Sequence, residues 1–363
     1  MIFERKENLI GLDIGSRTIK LAEVLQTKKD RILQKFGMAD LPRDAIVEGR
    51  IKEPTAVSDT IKGLINDLKV KEQNVATSVA GYSVIIKRIT VGKLTEEELH
   101  DNIQFEAEQY IPFDVQDVNI DFHIIGEHES NPNQMQVMLV AAKKEIIDEY
   151  SDVLEMANLN PCVIDVDAFA LEKVFEDSYL NEEGNIALID IGANKMNINI
   201  VKEYMSAFTR DVSIGSEQIV RDIASRFECS FEEAEAVMLG KTKDKVPKEE
   251  GETKDKAPNK EEVQEIVRSF TLSWCREVRQ AIDFYYSTYA DEDIKKIILS
   301  GGGAMAEGLS GLLSAETSLD VEMCNPFANI KINEKQIDTN YLKKIAPQAV
   351  ICMGLASRSL FDK

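Results

Sequence analysis

The chain has 363 residues, with 64 acidic and 43 basic side chains and a formal net charge of −21. That balance argues against coating DNA or RNA, whose phosphates demand clustered Lys and Arg, and against broad adhesion to an anionic lipid leaflet. The length predicts about two domains or one large two-lobed body, with the composition of an ordinary soluble globular protein.

Met1–Glu7 is charged and lacks the apolar stretch of a signal peptide, and no apolar run reaches the roughly 18 residues of a membrane span. The first informative segment is Leu9-Ile-Gly-Leu-Asp-Ile-Gly15, a nearly all-apolar strand closed by Asp-Ile-Gly. Strand-like segments follow at Thr18–Val24 and 31–38. Pro54–Leu68 places Val57, Ile61, Leu64, Ile65 and Leu68 on one helical face. Region 82–155 reads as a compact α+β unit, with strands at 83–91, 117–126 and 134–142 around helices 96–111 and 144–157. Thr95-Glu-Glu-Glu98 is a capping box for the first helix, and Leu99, Ile103, Ala107 and Ile111 continue its apolar face. In the second, Ile146, Ile147, Tyr150, Val153, Leu154 and Ala157 mark the buried face.

Residues 186–192, Ile-Ala-Leu-Ile-Asp-Ile-Gly, then repeat the opening motif, again followed by an alternating strand (Lys195–Val201) and a third at 204–210. The spacing is about half the chain, far too long for a solenoid repeat, and predicts two related lobes. Ser230-Phe-Glu-Glu233 caps another helix. Residues 241–262 carry two prolines and no apolar period, and read as a solvated charged loop. A long helix is predicted over Val263–Tyr289, a strand over Ile294–Ser300, and a closing helix within Tyr341–Phe361. The five dispersed cysteines form no CxxC pair and read as thiols in a reducing compartment. The expected division is 1–81 with 156–184 and 341–363 as one lobe, 82–155 as an insert, 185–228 with 291–340 as a second lobe, and 229–290 as a helical subdomain.

An Asp at the end of a buried strand is unfavourable unless a cation sits on it. Asp13 and Asp190 are two such residues at matching places, suited to a shared Mg²⁺. Gly15 and Gly192 permit tight turns, and Ser16, Arg17, Thr18, Ala193, Asn194 and Lys195 supply donors that can cradle phosphates. Lys20 adds a point charge. The simpler reading, plain β-turns at sheet ends, uses the same residues. Gly215, Ser216 and Glu217 open a helix whose N-terminus favours anions. Glu235 can meet sugar hydroxyls. Gly301, Gly302, Gly303 and Ala304 let backbone lie flat against a bulky planar group.

The ordered set Gly11-Leu-Asp-Ile-Gly-Ser16, Asp190-Ile-Gly192, Gly215-Ser-Glu-Gln218, Ala234-Glu235 and Gly301-Gly-Gly-Ala304 resembles the phosphate and adenosine motifs of the actin-like ATPase superfamily. Within it, Ile103-Gln-Phe-Glu-Ala-Glu-Gln-Tyr-Ile-Pro-Phe113, Asn325-Pro-Phe-Ala328 and Gly354-Leu-Ala-Ser-Arg358 are similar to the PilM family of type IV pilus assembly. Two positions depart from the family pattern: Met238 stands where a Lys is common, and Ser216 where a second Gly is common. The resemblance implies an α/β fold of two duplicated lobes with mixed five-stranded sheets and a small α+β insert. It implies ATP and Mg²⁺ in the cleft, held by the residues above. It also implies a cytosolic adaptor, recruited to the inner membrane through the N-terminal peptide of a PilN-type protein and linked to pilus motor ATPases. Tyr110, Ile111 and Phe113 either line the peptide groove or pack the insert core. Hydrolysis is expected to be slow or absent; Asp165 and Asp167 are candidates to orient a water or to cap the following helix. An FtsA-like filament protein and a small-molecule kinase are the alternatives.

Overall fold

The computed structural model describes residues 9–27, 30–128, 130–180, 182–239, 260–289 and 293–359. The segment Met1–Glu7 and residues 241–259 of the charged stretch lie outside them, and 260–262 open a helix.

Strands β1 (Ile10–Ile14), β2 (Thr18–Gln26) and β3 (Arg31–Asp40) form an antiparallel meander. A ribbon of β4 (Ile46–Val47) and β5 (Arg50–Ile51) leads into α1 (Pro54–Leu68), which starts on a proline because no amide is needed there. Next, β6 (Asn74–Val79) lies parallel to β1. The insert follows: β7 (Val84–Gly92), α2 (Glu96–Ala107) with its predicted capping box formed, β8 (Val118–His128) and β9 (Asn131–Lys143). The chain continues through α3 (Lys144–Met156), β10 (Asn160–Val166), parallel to β6, and α4 (Asp167–Ser178).

The second half repeats this plan. Strands β11 (Asn185–Ile191), β12 (Met196–Lys202) and β13 (Met205–Val212) form the meander. Three helices, α5 (Ser216–Phe227), α6 (Phe231–Met238) and α7 (Lys260–Thr288), precede β14 (Ile294–Ser300). Helix α8 (Leu309–Thr317) crosses to β15 (Asp320–Met323), and β16 (Lys331–Ile332), α9 (Thr339–Ile345) and α10 (Val350–Ala356) follow.

The orders β3-β2-β1-β6-β10 and β13-β12-β11-β14-β15 are one topology written twice. The first sheet departs from the expected five strands. Its sixth, β16, comes from the second half and pairs parallel with β3. The returning chain meets the otherwise open edge of β3 and satisfies backbone groups that an edge leaves unpaired.

Period-two alternation divides each central strand between two cores. Ile10, Leu12 and Ile14 face an outer core with α1 and α3, while Leu9 faces a central core built on α4 and α10. Likewise Ala187, Ile189 and Ile191 face α5–α8, while Ile186 and Leu188 join the central core. By the same alternation, Asp13 and Asp190 fall on the faces the two sheets turn toward each other.

Helix α3 corrects the expected insert boundary. Its buried residues Ile146, Tyr150, Val153 and Leu154 belong to the first lobe's outer core, not to the insert's. It is the crossover joining parallel β6 and β10, the counterpart of α8 between β14 and β15. The insert is thus the three-stranded sheet β7-β9-β8 under α2, spliced ahead of that crossover. Ile111, a candidate groove residue, is buried in the insert core, flanked by half-buried Tyr110 and Phe113. Lys143 Nζ sits 4.5 Å from the Phe113 ring centroid.

Candidate functional site

Each meander closes its first turn in the same way. Gly15 N–H donates to Thr18 O (3.1 Å), and Gly192 N–H to Lys195 O (2.8 Å). Asp13 sits opposite Lys20 in the β1–β2 ladder, and their side chains pair at 2.8 Å. Burial works against the Lys20 ammonium, but Asp13 holds its pKa above the ordinary value. In the second lobe the residue opposite Asp190 is Asn197, so the lysine is not duplicated there. Instead, Lys195 at the end of the turn reaches across to Asp167, the first residue of α4, at 2.5 Å. Each meander therefore contributes one lysine, Lys20 from β2 and Lys195 from the turn before β12.

Asp167 accepts a second bond from Ser78 Oγ at 2.6 Å. Asp165 accepts from Val166 N–H and from Arg358 Nε (2.7 Å), which anchors it to the end of α10. Neither caps α4: the capping position is Val166, with no side-chain bond. Asp165 is thus structural, and Asp167 is the carboxylate at the cleft.

Asp190 is held among the described residues by Ser300 Oγ at 2.8 Å, without an ion pair. Burial pushes its carboxyl up to about 6; Ser300 opposes the shift, while Asp167 and Asp13 add to it. Across the ladder, Asn197 Oδ1 is buried without a hydrogen-bond partner, while its Nδ2 donates to Asp211 Oδ1 (2.7 Å). Asp211 Oδ2 accepts from Gly81 N–H at 2.6 Å, tying the root of the insert to the second lobe. Ser78 and Ser300, at matching ends of β6 and β14, escaped the sequence reading. So did Asn197 and Arg43. The duplication pointed to the serines, since they follow from aligning the two halves; nothing local pointed to Arg43.

The start of α5 supports the second turn rather than facing a ligand. Ser216 N–H donates to Gly192 O (3.1 Å) and Glu217 N–H to Ala193 O (2.9 Å). A Cβ at Gly215 would lie 2.3 Å from Ala193 O, so this approach needs glycine. Gly301, at φ +90°, packs as closely on Ile191 O and donates its N–H to Pro347 O at 2.7 Å. Gly303 and Ala304 are buried beside it, while Gly302 remains partly open. Ser16, Arg17 and Thr18 are half-buried in the first turn; Ala193 is half-buried and Asn194 exposed in the second. Glu217 is 5% exposed and paired with Arg43, departing from its expected ligand role; Arg17 reaches Glu235 at 3.4 Å. Met238 lines a separate groove of about 920 Å³ with Val263 and Val267, flanked by Lys260 and Arg268.

Magnesium takes one or two carboxylates and fills its remaining positions with water and phosphate oxygens. Asp13, Asp190 and the unpartnered Asn197 Oδ1 fit that pattern. Among the described residues, no group of three or more His, Cys, Asp or Glu could hold a metal unaided.

Two lobes of one topology, each presenting an Asp-Ile-Gly turn on the face turned to the other, define an actin-like ATPase fold. The chain belongs to the type IV pilus assembly protein PilM family, whose profile matches residues 11–360. A solved PilM–PilN type IV pilus biogenesis complex is similar with a TM-score of 0.83 and 24% identity, covering 98% of this chain and 100% of that one. The ethanolamine utilization protein EutJ of Carboxydothermus hydrogenoformans matches at TM-score 0.56 and 14% identity, over 98% and 89% of the two chains. MreB 5 of Spiroplasma citri bound to AMPPNP matches at 0.51 and 12%, over 96% and 95%.

Proposed function

We propose that the cleft holds ATP with Mg²⁺, and that the loaded chain is an adaptor of pilus assembly that captures the N-terminal segment of a PilN-type membrane protein. The observation carrying the nucleotide reading is Asp190: a half-buried carboxylate with no ion pair among the described residues, within electrostatic reach of Asp13 from the other lobe. Mg²⁺ would offset this charge and that of the phosphates. Lys20 and Lys195 would steady the phosphates beside the amides of the two turns, and Glu235 and the 301–304 loop would border the nucleoside.

Both oxygens of Asp167 are already bonded, to Ser78 and Lys195. A carboxylate so engaged is poorly placed to orient an attacking water. ATP then serves as a structural ligand between the lobes. Multiple-turnover phosphate release on the order of 1 s⁻¹, an ordinary enzymatic rate, would overturn that part.

The partner reading is supported by family membership and by the likeness to a PilM–PilN complex. An extended segment can add to a sheet edge, where main-chain bonds supply affinity and side-chain pockets specificity. No helix among the described residues is long and apolar enough to cross a membrane. Thermal melting with and without Mg·ATP tests the cleft: ligand at about 100 times its Kd stabilises by ~2.7 kcal/mol. An unchanged melting temperature at millimolar Mg·ATP would remove the nucleotide from this account.

A further inference from the structure

The cleft carries a charged clasp at one rim. From the first lobe come Arg17, in the β1–β2 turn, and Arg43 and Asp44, just beyond β3. From the second come Glu217 and Arg221 on α5, and Phe231 and Glu235 on α6. Arg43 pairs with Glu217 Oε1, and its second terminal nitrogen lies 3.6 Å from Glu235. Arg17 Nε is 3.8 Å from Glu217 and its Nη2 3.4 Å from Glu235, while its Nη1 donates to Leu41 O at 2.9 Å. Arg221 bonds Asp44 across the gap at 2.8 Å and approaches Glu217 at 3.5 Å. The Phe231 ring receives the Arg43 guanidinium at 4.3 Å and that of Arg221 at 5.8 Å. Three cations and three carboxylates thus join two lobes whose outer cores are separate.

Two members of the clasp, Arg17 and Glu235, are residues the phosphate and ribose would use. Paired with each other they are unavailable to a ligand, and the pairs span the gap through which one would pass. We propose that the clasp is a gate on the cleft: nucleotide enters and leaves only as these cross-lobe pairs open, so their strength sets the exchange rate. Glu217 is its anchor. A carboxylate this buried is strongly destabilised when its guanidinium partners leave, which biases the clasp toward closure. This inference rests on the nucleotide reading above and adds its regulation.

The test uses the full chain loaded with N-methylanthraniloyl-ATP and Mg²⁺, chased with unlabelled ATP. Arg43→Met should release the probe about tenfold faster, less than losing a buried charge's sole partner would cost, because Glu217 keeps Arg17 and Arg221 nearby. Arg221→Asp should do so about threefold, as suits an exposed one. Combining Asp44→Arg with Arg221→Asp should bring release back toward the wild-type rate. If Arg43→Met fails to fold, the reversal at exposed positions 44 and 221 carries the test. Wild-type protein that holds the probe while Arg221→Asp releases it at the same rate, or a double reversal no slower than the single change, overturns the gate alone. Wild-type protein that holds no probe overturns the nucleotide reading, and the gate with it.

Discussion

Asp190→Asn should make the chain more stable and less functional at once. The carboxyl has an ordinary value of 3.8, and burial pushes it up to about 6 in the folded chain. A gap of about two units corresponds to ~3 kcal/mol, and partial water access lowers the expectation to ~2 kcal/mol. Because the folded value is the higher one, the folded chain holds the proton more tightly. Stability is therefore unaffected below about pH 4, falls as pH rises toward 6, and stays reduced above that. Asparagine can still accept from Ser300 and carries no charge to desolvate. Urea unfolding at pH 7.5 should therefore show the variant more stable by ~2 kcal/mol, with the difference nearly gone at pH 4. The same variant should lose Mg-dependent ATP retention. An equal stability difference at both pH values would refute the burial argument. A stabilised variant that keeps Mg-dependent ATP would refute the role of Asp190 in facing the metal.

Glu172 on α4, raised to about 7 by burial against bonds from the Ser206 N–H and Oγ, should behave alike. Glu172→Gln should raise the melting temperature at pH 8 but not at pH 4, since the penalty grows between its ordinary 4.5 and about 7. Gly301→Ala should cost at least ~2 kcal/mol in urea melts, because it combines a φ of +90° with a Cβ 2.3 Å from Ile191 O. A neutral result would mean the 301–304 loop can move off β11. Excising residues 84–143 should leave a folded chain that retains ATP but no longer captures a PilN-type N-terminal peptide in a pull-down, because Lys143 N–H bonds Ser83 O at 2.9 Å and so brings the two cut ends, Ser83 and Lys144, side by side. Excising 82–155 should unfold the first lobe, as it removes Tyr150, Val153 and Leu154 from its core; circular dichroism separates the two outcomes.

The duplicated Asp-Ile-Gly strands were readable because a buried central strand is nearly all apolar and its turn needs glycine. Both capping boxes, at Thr95 and Ser230, formed as their spacing required. Other features left no local trace. The periodicity of α3 revealed an apolar face but not which core would receive it. Ile111 was legible as a continuation of the apolar face begun at Leu99, but its spacing alone could not choose between the insert core, where it is buried, and a groove. The two residues of β16 are too few to show any alternation. Pairs such as Lys195–Asp167 and Arg43–Glu217 join positions 28 and 174 apart, and no periodicity links charges at such distances. The sequence thus located the turns. The fold alone decided which charges face each other, and so turned Arg17, Glu217 and Glu235 toward one another.

The central core has a bearing on how the chain comes off the ribosome. It places Leu9, Leu33 and Phe36 against Ile351, Cys352 and Leu355, and the Cys352 thiol lies 3.5 Å from Gly11 O, 341 positions away. By contrast, among the described residues the buried members of the second lobe's outer core all lie between Ala187 and Leu313. Contacts with long sequence separation form late, because the intervening chain must first be ordered. The β1–β3 meander, although made first, waits for α10 and β16 before its inner face is covered. Until then its apolar strands and open β3 edge are surfaces that chaperones or neighbouring chains can engage. The half synthesised first is the half completed last.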